Sequence, residues 1–262
     1  MTEDMDNSGL IARLLHDRQT QAPFIPVRVN GKPITIAQAY RMQNAVVTAL
    51  GNGNPNEVSG YKVGLTESDV QERLGVAEPI IGCLLDRLIH PSGMSLSASA
   101  FGRLAIECEI ALLIDKPADI ETSLLTWSDI RSVHAAFELI DDHGASLDQA
   151  DGPSIIADNA WHAGVILAQG LPVTRDWDAC PPSGALSQNE QTVATVGPDP
   201  ILGGPLSAAN WVNAFLARSG KRLQSGDIVL TGALIGPLRF SESSSLRFEV
   251  EGLPPVTLDL SL

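Results

Sequence analysis

A chain of 262 residues, 44% hydrophobic and 18% charged, is long enough for one large domain with a substantial core, or a domain with a smaller appendage. Its net charge of −14, from 31 acidic and 17 basic residues, argues against nucleic acid and anionic membrane surfaces as partners, because both attract clustered Lys and Arg. The acidic start Met1-Thr-Glu-Asp-Met-Asp6 lacks the character of a signal peptide, and no apolar run approaches the length of a membrane span. Cys83, Cys108 and Cys180 are odd in number and widely spaced, which fits a reduced, cytoplasmic protein without disulfides.

Residues 8–22 carry Leu10, Ile11, Leu14 and Leu15 at helical spacing, and a second helix follows Thr35 through Ala39, Tyr40, Gln43 and Val46 to Leu50. The run Gly51-Asn-Gly-Asn-Pro-Asn56 is strong turn chemistry. It divides the chain into a small helical part, residues 1–56, and a strand-rich remainder, residues 57–262. In the remainder, short apolar runs rich in β-branched residues predict strands at Ser59–Leu65, Leu104–Ile114, Ala136–Ile140, His162–Leu167, Asp227–Leu230, Leu246–Val250 and Val256–Leu260. Thr126-Trp-Ser-Asp129 has capping-box spacing and predicts a helix through Ile130, Val133 and Phe137, leading into the strand around Glu138. Ser207–Ser219, ending at Gly220, reads as another helix. The pattern is mixed α and β with a mostly antiparallel sheet.

There is no GxGxxG, GxxxxGK[ST], HExxH or GxSxG, and the five histidines lack ligand spacing. What remains is a set of carboxylates. Alternation along Arg103–Leu113 puts Ile106, Cys108, Ile110 and Leu112 on one face and Ala105, Glu107, Glu109 and Ala111 on the other. Same-face neighbours on a strand lie roughly 6.5–7 Å apart. Two semi-buried carboxylates at that spacing repel unless a cation lies between them, and oxygen ligands suit Mg²⁺, Mn²⁺ or Ca²⁺. The same pattern also describes a solvated strand face that carries two glutamates. Glu138 would complete a set of three. Lys62 lies between Gly60 and Gly64 on its strand face, with room for a ligand carboxylate; it equally fits an edge-strand lysine that discourages aggregation. Asp158-Asn159 is either a loop tie or a ligand contact. Thr231-Gly232 ends an apolar strand, where it either presents N–H and hydroxyl groups to an anion or simply turns.

Several segments occur together in one order: Tyr61-Lys-Val-Gly-Leu-Thr66, Leu74-Gly-Val76 with Pro79 and Gly82, Ile106-Glu-Cys-Glu-Ile-Ala-Leu112, Phe137-Glu-Leu-Ile-Asp141, Ala157-Asp-Asn159 and Gly226-Asp-Ile-Val-Leu-Thr-Gly-Ala233. With them, essentially the whole chain resembles the 2-keto-4-pentenoate hydratase and 4-oxalocrotonate decarboxylase family of the fumarylacetoacetate hydrolase superfamily. The resemblance implies an α+β fold: a mixed β-roll with a helical N-terminal cap. It implies Mg²⁺ or Mn²⁺ held by Glu107, Glu109 and Glu138, with Lys62 as the catalytic group. Contacts to a small 2-oxo acid substrate would come from Lys62, Asp158, Asn159, Thr231 and Gly232. The implied reaction is hydration of a 2-hydroxydienoate to a 4-hydroxy-2-oxo acid, in an aromatic-degradation pathway, by a homo-oligomer.

Two positions depart from the family pattern. Pro79-Ile80-Ile81-Gly82 carries Ile80 where the hydratases have an aspartate, and Asp141-Asp142-His143-Gly144 lacks an arginine common after the third glutamate. Decarboxylation of a related 2-oxo acid, or other enolate chemistry, accommodates the loss at position 80 more easily. A non-catalytic partner subunit is the third reading, against which the three retained glutamates argue.

Overall fold

The structure is a computed structural model that describes residues 2–54, 57–118, 124–174, 176–178, 182–197 and 201–262. Cys180 and the end of the Gly51–Asn56 turn fall outside them. The chain begins with α1 (Thr2–Thr20), a two-residue ladder of β1 (Arg28–Val29) with β2 (Lys32–Pro33), and α2 (Ile36–Leu50). Thr35 caps α2 with a full capping box: its hydroxyl accepts from Gln38 N at 3.2 Å, and its own N–H donates to Gln38 Oε1 at 2.8 Å. Then come β3 (Val58–Gly64), α3 (Ser68–Leu74), β4 (Ile80–Leu85), β5 (Ile89–Pro91), β6 (Met94–Ser97), β7 (Leu104–Ile114) and β8 (Ile130–Asp141). The chain ends with α4 (Gly152–Ala157), β9 (His162–Leu167), β10 (Gly184–Gln188), β11 (Gln191–Thr195), α5 (Pro205–Ala217), β12 (Ile228–Leu238), β13 (Ser244–Val250) and β14 (Val256–Ser261).

The helix expected after Thr126 is a strand. Its capping box is present, with Asp129 Oδ2 accepting from Thr126 N at 2.8 Å, but it closes a single 3₁₀ turn, Trp127–Asp129, and β8 starts at once. Ile130, Val133 and Phe137 mimic helical spacing because β8 is buried on both faces over most of its length, which hides its two-residue period.

Among the described residues the strands form a seven-stranded sheet, in the order β4-β3-β12-β7-β8-β9-β5, and a five-stranded sheet, β11-β10-β13-β14-β6. Most neighbours are antiparallel; β12 with β3, β14 with β6 and β5 with β9 are parallel. The two sheets pack through their apolar faces. Ile106, Cys108, Ile110 and Leu112 of β7 share one core with the inward residues of β13 and β14, and Phe137 of β8 lies 6.4 Å from Phe248 between ring centroids. Such an aromatic pair adds about 0.5–1.5 kcal/mol to its area burial. Trp211, on α5, packs against the same core from its margin, which also takes in Val212 and Leu216. A second apolar cluster joins Leu14, Met42 and Val46 of the N-terminal helices to Leu74, Ile80 and Ile155. Glu107 and Glu109 point to the other face of β7, away from the inter-sheet core. No described helix is long and apolar enough to cross a membrane.

Candidate functional site

Antiparallel pairing sets Glu107 directly opposite Glu138, and Glu109 opposite Ala136 on β8 and Ala233 on β12. Directly opposed residues share a face, so the three glutamates meet on the side of the sheet away from the core. Alanines at 111, 136 and 233 leave the space to them. Carboxylate oxygens of Glu107, Glu109 and Glu138 all lie within 4.8 Å of one another. β12 bulges between Leu230 and Ala233, and there Gly232, at φ 104°, donates its N–H to Glu109 Oε2 at 2.8 Å. A Cβ at that glycine would lie 2.6 Å from Ile201 Cγ2.

Lys62 comes from β3, which lies between β4 and β12, so it is no edge-strand lysine. Its Nζ is 3.3 Å from Glu138 Oε1, with the two side chains 5% and 0% exposed. The glycines that clear room for it are Gly64 and Gly82, where an added Cβ would approach Lys62 atoms to 3.3 and 3.0 Å. Gly60 serves the sheet instead: a Cβ there would lie 1.9 Å from Ile228 O of β12. His162, at the start of β9, places Nδ1 2.9 Å from the same Glu138 Oε1.

The charges are unevenly shared. Burial raises all three carboxyls, yet Lys62 and then His162 hold Glu138 below the usual carboxylate range. Loss of water and the Glu138 charge push Glu107 up to about 7. Burial, with the Glu138 and Glu107 charges, drives Glu109 well above its ordinary value. Burial disfavours the Lys62 ammonium, but Glu138, Glu107 and Glu109 outweigh it, so its pKa rises. Burial lowers His162 and keeps its ring neutral. Glu109 Oε1 and Glu138 Oε2 are buried without any hydrogen-bond partner. A buried carboxylate oxygen left bare costs about 1–3 kcal/mol or more. Two of them beside a third carboxylate fit a hard divalent cation, for which Glu107, Glu109 and Glu138 supply oxygen donors.

This cluster closes one end of a cavity of about 390 Å³, where Lys62 and Glu107 line the wall with Ile80, Ile140, Ile155 and Trp161. The cavity wall also holds an ion-pair system absent from the sequence-based expectations. Arg103 grips Asp142 with Nε at 2.7 Å and Nη2 at 2.8 Å, and Arg239 Nη2 donates to the same carboxylate. These residues are far apart in sequence and match no motif, and the one hint in the chain is the arginine missing within residues 141–144.

The other expected contacts lie outside the cavity wall. Asp158 accepts from Arg18 Nε at 2.6 Å, and the Asn159 amide bonds both the N–H and the C=O of Cys83, at 2.8 and 2.9 Å. Thr231 donates its hydroxyl to Ile110 O at 2.9 Å, and the N–H of Gly232 is taken by Glu109. All four are engaged within the protein.

No family model matches the sequence. The chain is 29% identical over 262 residues to a 2-keto-4-pentenoate hydratase of Burkholderia vietnamiensis (strain G4 / LMG 22486), covering 98% of both. It is 32% identical over 244 residues to 2-keto-4-pentenoate hydratase 2 of Dechloromonas aromatica (strain RCB), covering 90% of both. Its fold matches the solved 4-oxalocrotonate decarboxylase from Pseudomonas putida G7, complexed with magnesium and adipate, with a TM-score of 0.87 and 22% identity. That match spans 99% of this chain and 98% of the other. With this identity over nine-tenths of its length, the chain belongs to the 2-keto-4-pentenoate hydratase family of lyases.

Proposed function

We propose that the protein is a lyase that depends on Mg²⁺ or Mn²⁺ and adds water to a 2-hydroxydienoate, giving a 4-hydroxy-2-oxo acid. The observation that carries this reading is the group of three carboxylates with two bare buried oxygens, beside a buried lysine at the end of a cavity. A bound divalent ion supplies stabilisation of the negative charge that develops on the substrate's 2-oxygen. Glu107, Glu109 and Glu138 hold it. Lys62 sets an ammonium beside them, where it anchors the substrate carboxylate or relays a proton. The apolar wall of Ile80, Ile140 and Ile155 keeps water away from the dienol except along the open side of the cavity.

Ile80 favours a second reaction on the same enolate chemistry. It stands where the family has an aspartate, and the carboxylate of Asp142 is taken up by two arginines, so decarboxylation of a vinylogous 2-oxo acid asks less of the residues present. Purified protein with Mg²⁺ or Mn²⁺, followed by ultraviolet absorbance against 2-hydroxydienoates and oxalocrotonate, separates the two. Loss of absorbance on neither substrate class would sink both. The reading extends to a cytoplasmic homo-oligomer above a dimer, with residues 1–56 as a cap on the catalytic domain of residues 57–262. A light-scattering mass near 27.7 kDa would contradict the assembly.

A further inference from the structure

His162 was one of five histidines without ligand spacing, and the cluster gives it a task. We propose that His162 is a positioning residue for the metal site: its Nδ1–H fixes Glu138 Oε1 and so turns Oε2 toward the divalent ion. The inference rests on the metal reading above and adds a residue to it.

The geometry carries the argument. Nδ1 lies 2.9 Å from Glu138 Oε1, with both side chains 0% exposed. A carboxylate oxygen only accepts, so the proton sits on Nδ1. Oε1 thereby takes two donors, His162 at 2.9 Å and Lys62 at 3.3 Å, while Oε2 takes none. The two donors are not equivalent. Lys62 borders the cavity, where a substrate carboxylate would compete for its ammonium, and His162, which does not line the cavity, is the donor that would then keep Glu138 in place. The neutral ring also suits the charge balance, since three carboxylates, one ammonium and a divalent ion together carry no net charge.

The backbone that delivers this ring is held firmly. Asn159, Ala160 and Trp161 have φ of 48°, 52° and 58°, three successive residues in the left-handed region that L side chains rarely adopt. Arg18 of α1 stabilises the turn by donating to Asp158 Oδ1 and O, at 2.6 and 2.7 Å, and to His162 O at 3.1 Å. Asn159 ties it to β4 through Cys83. A ring present only to fill space would be better apolar, because Nε2 is buried without a partner. The Nδ1–H bond is what the imidazole provides that an apolar side chain would not.

The test is Mn²⁺ affinity of the metal-free protein, read from the free-ion electron paramagnetic resonance signal, with melting temperature as control. His162→Phe should weaken Mn²⁺ binding about 10–100-fold, the usual cost of losing a partner of a ligating group. His162→Asn, whose Nδ2 stands where Nδ1 stood, should bind within about threefold of wild type. Wild-type affinity in His162→Phe, or a loss in His162→Asn equal to that in His162→Phe, overturns the assignment. Should His162→Phe not fold, His162→Asn against His162→Gln makes the same comparison, because glutamine puts its donor where Nε2 stood; equal affinities would then overturn it. Wild-type protein that takes up no Mn²⁺ sinks the metal reading itself, whereas full uptake by wild type and His162→Phe alike sinks only the role of the histidine.

Discussion

Two charged groups border the cavity: at the glutamate end three carboxylates crowd around a single ammonium, and at the arginine end a single carboxylate, Asp142, is shared by two guanidiniums. Both ends combine acids with bases, but the surplus has opposite sign. The arginine end is satisfied: Asp142 accepts from Arg103, Arg239 and the N–H of Gly144, and the arginine side chains are 41% exposed, so water covers what Asp142 does not. The glutamate end is left with two bare buried oxygens. Bare carboxylate oxygens gathered beside a third acid call for a cation to fill the deficit, and this separates a ligand site from a strut.

The sharpest way to break that contrast is to remove one acid from each end. Glu109→Ala should weaken Mn²⁺ binding at least about 100-fold and abolish turnover, because it takes away one of three anionic donors. It should leave the metal-free protein as stable as wild type or more so, since Glu109 is raised by burial and by its like-charged neighbours. Asp142→Asn should behave in reverse. Two guanidiniums lose their anion, which costs about 1–2 kcal/mol given their exposure, while Mn²⁺ affinity stays within about threefold. Thermal melts with and without Mn²⁺ read both. Equal behaviour of the two variants would end the distinction.

Lys62→Met tests the ammonium at the deficient end. It should cut kcat/KM about 100-fold while the fold persists, because methionine fills the channel between Gly64 and Gly82 without a charge. Full activity would return Lys62 to a structural role.

The deficit should also show in pH dependence. The Glu107 carboxyl is raised above its unfolded value to about 7 in the metal-free fold, so it is mostly protonated at pH 6 and mostly ionised at pH 8. An ion entering at pH 6 must displace that proton, and affinity falls about tenfold per unit below the pKa. Mn²⁺ titrations at pH 6 and 8 should therefore differ by at least roughly tenfold, with tighter binding at pH 8, since Glu109 is raised as well. Identical affinities would mean that the carboxyl was already ionised.

Legibility in the sequence followed the same line. The β7 face was readable because one side is apolar and the other alternates alanine with glutamate, and register alone then brings Glu138 across from Glu107. The last part of β8, Ala136–Ile140, reads as strand, whereas the stretch through Ile130, Val133 and Phe137 reads as helix because both faces of the strand are buried, which removes the polar half of the alternation. The β10–β11 hairpin escaped because it turns on Asn189-Glu190, whose φ of 50° and 67° are left-handed without the glycine that usually marks such a turn. His162 and the Arg103–Asp142–Arg239 group depend on contacts between distant segments, which no spacing rule encodes. Asp158 and Thr231 were visible as polar residues in suggestive places, but only the fold shows that Arg18 and Ile110 already occupy them.

The smallest effect is expected at the wall between the two ends. Ile80 is 2% exposed, and its Cγ1 lies 3.6 Å from the position a Cβ would take at Gly64, with Lys62 Nζ 3.3 Å from that same point. Ile80→Asp therefore sets a carboxyl near the ammonium, within an apolar cluster that includes Leu74, Val76 and Ile155. A well-placed acid contributes about 10²–10⁴-fold to a proton transfer, which would raise hydration of a short 2-hydroxydienoate. Two effects oppose it. A carboxyl without partners costs roughly 1–3 kcal/mol on this wall, and one that finds Lys62 draws the ammonium away from Glu138 and from the substrate. Both lower activity, so native turnover should fall a few-fold and the melting temperature should drop. Measuring hydration and native turnover in wild type and variant decides between the two: a clear gain in hydration with native turnover intact would show that the wall lacks an acid rather than selecting against one.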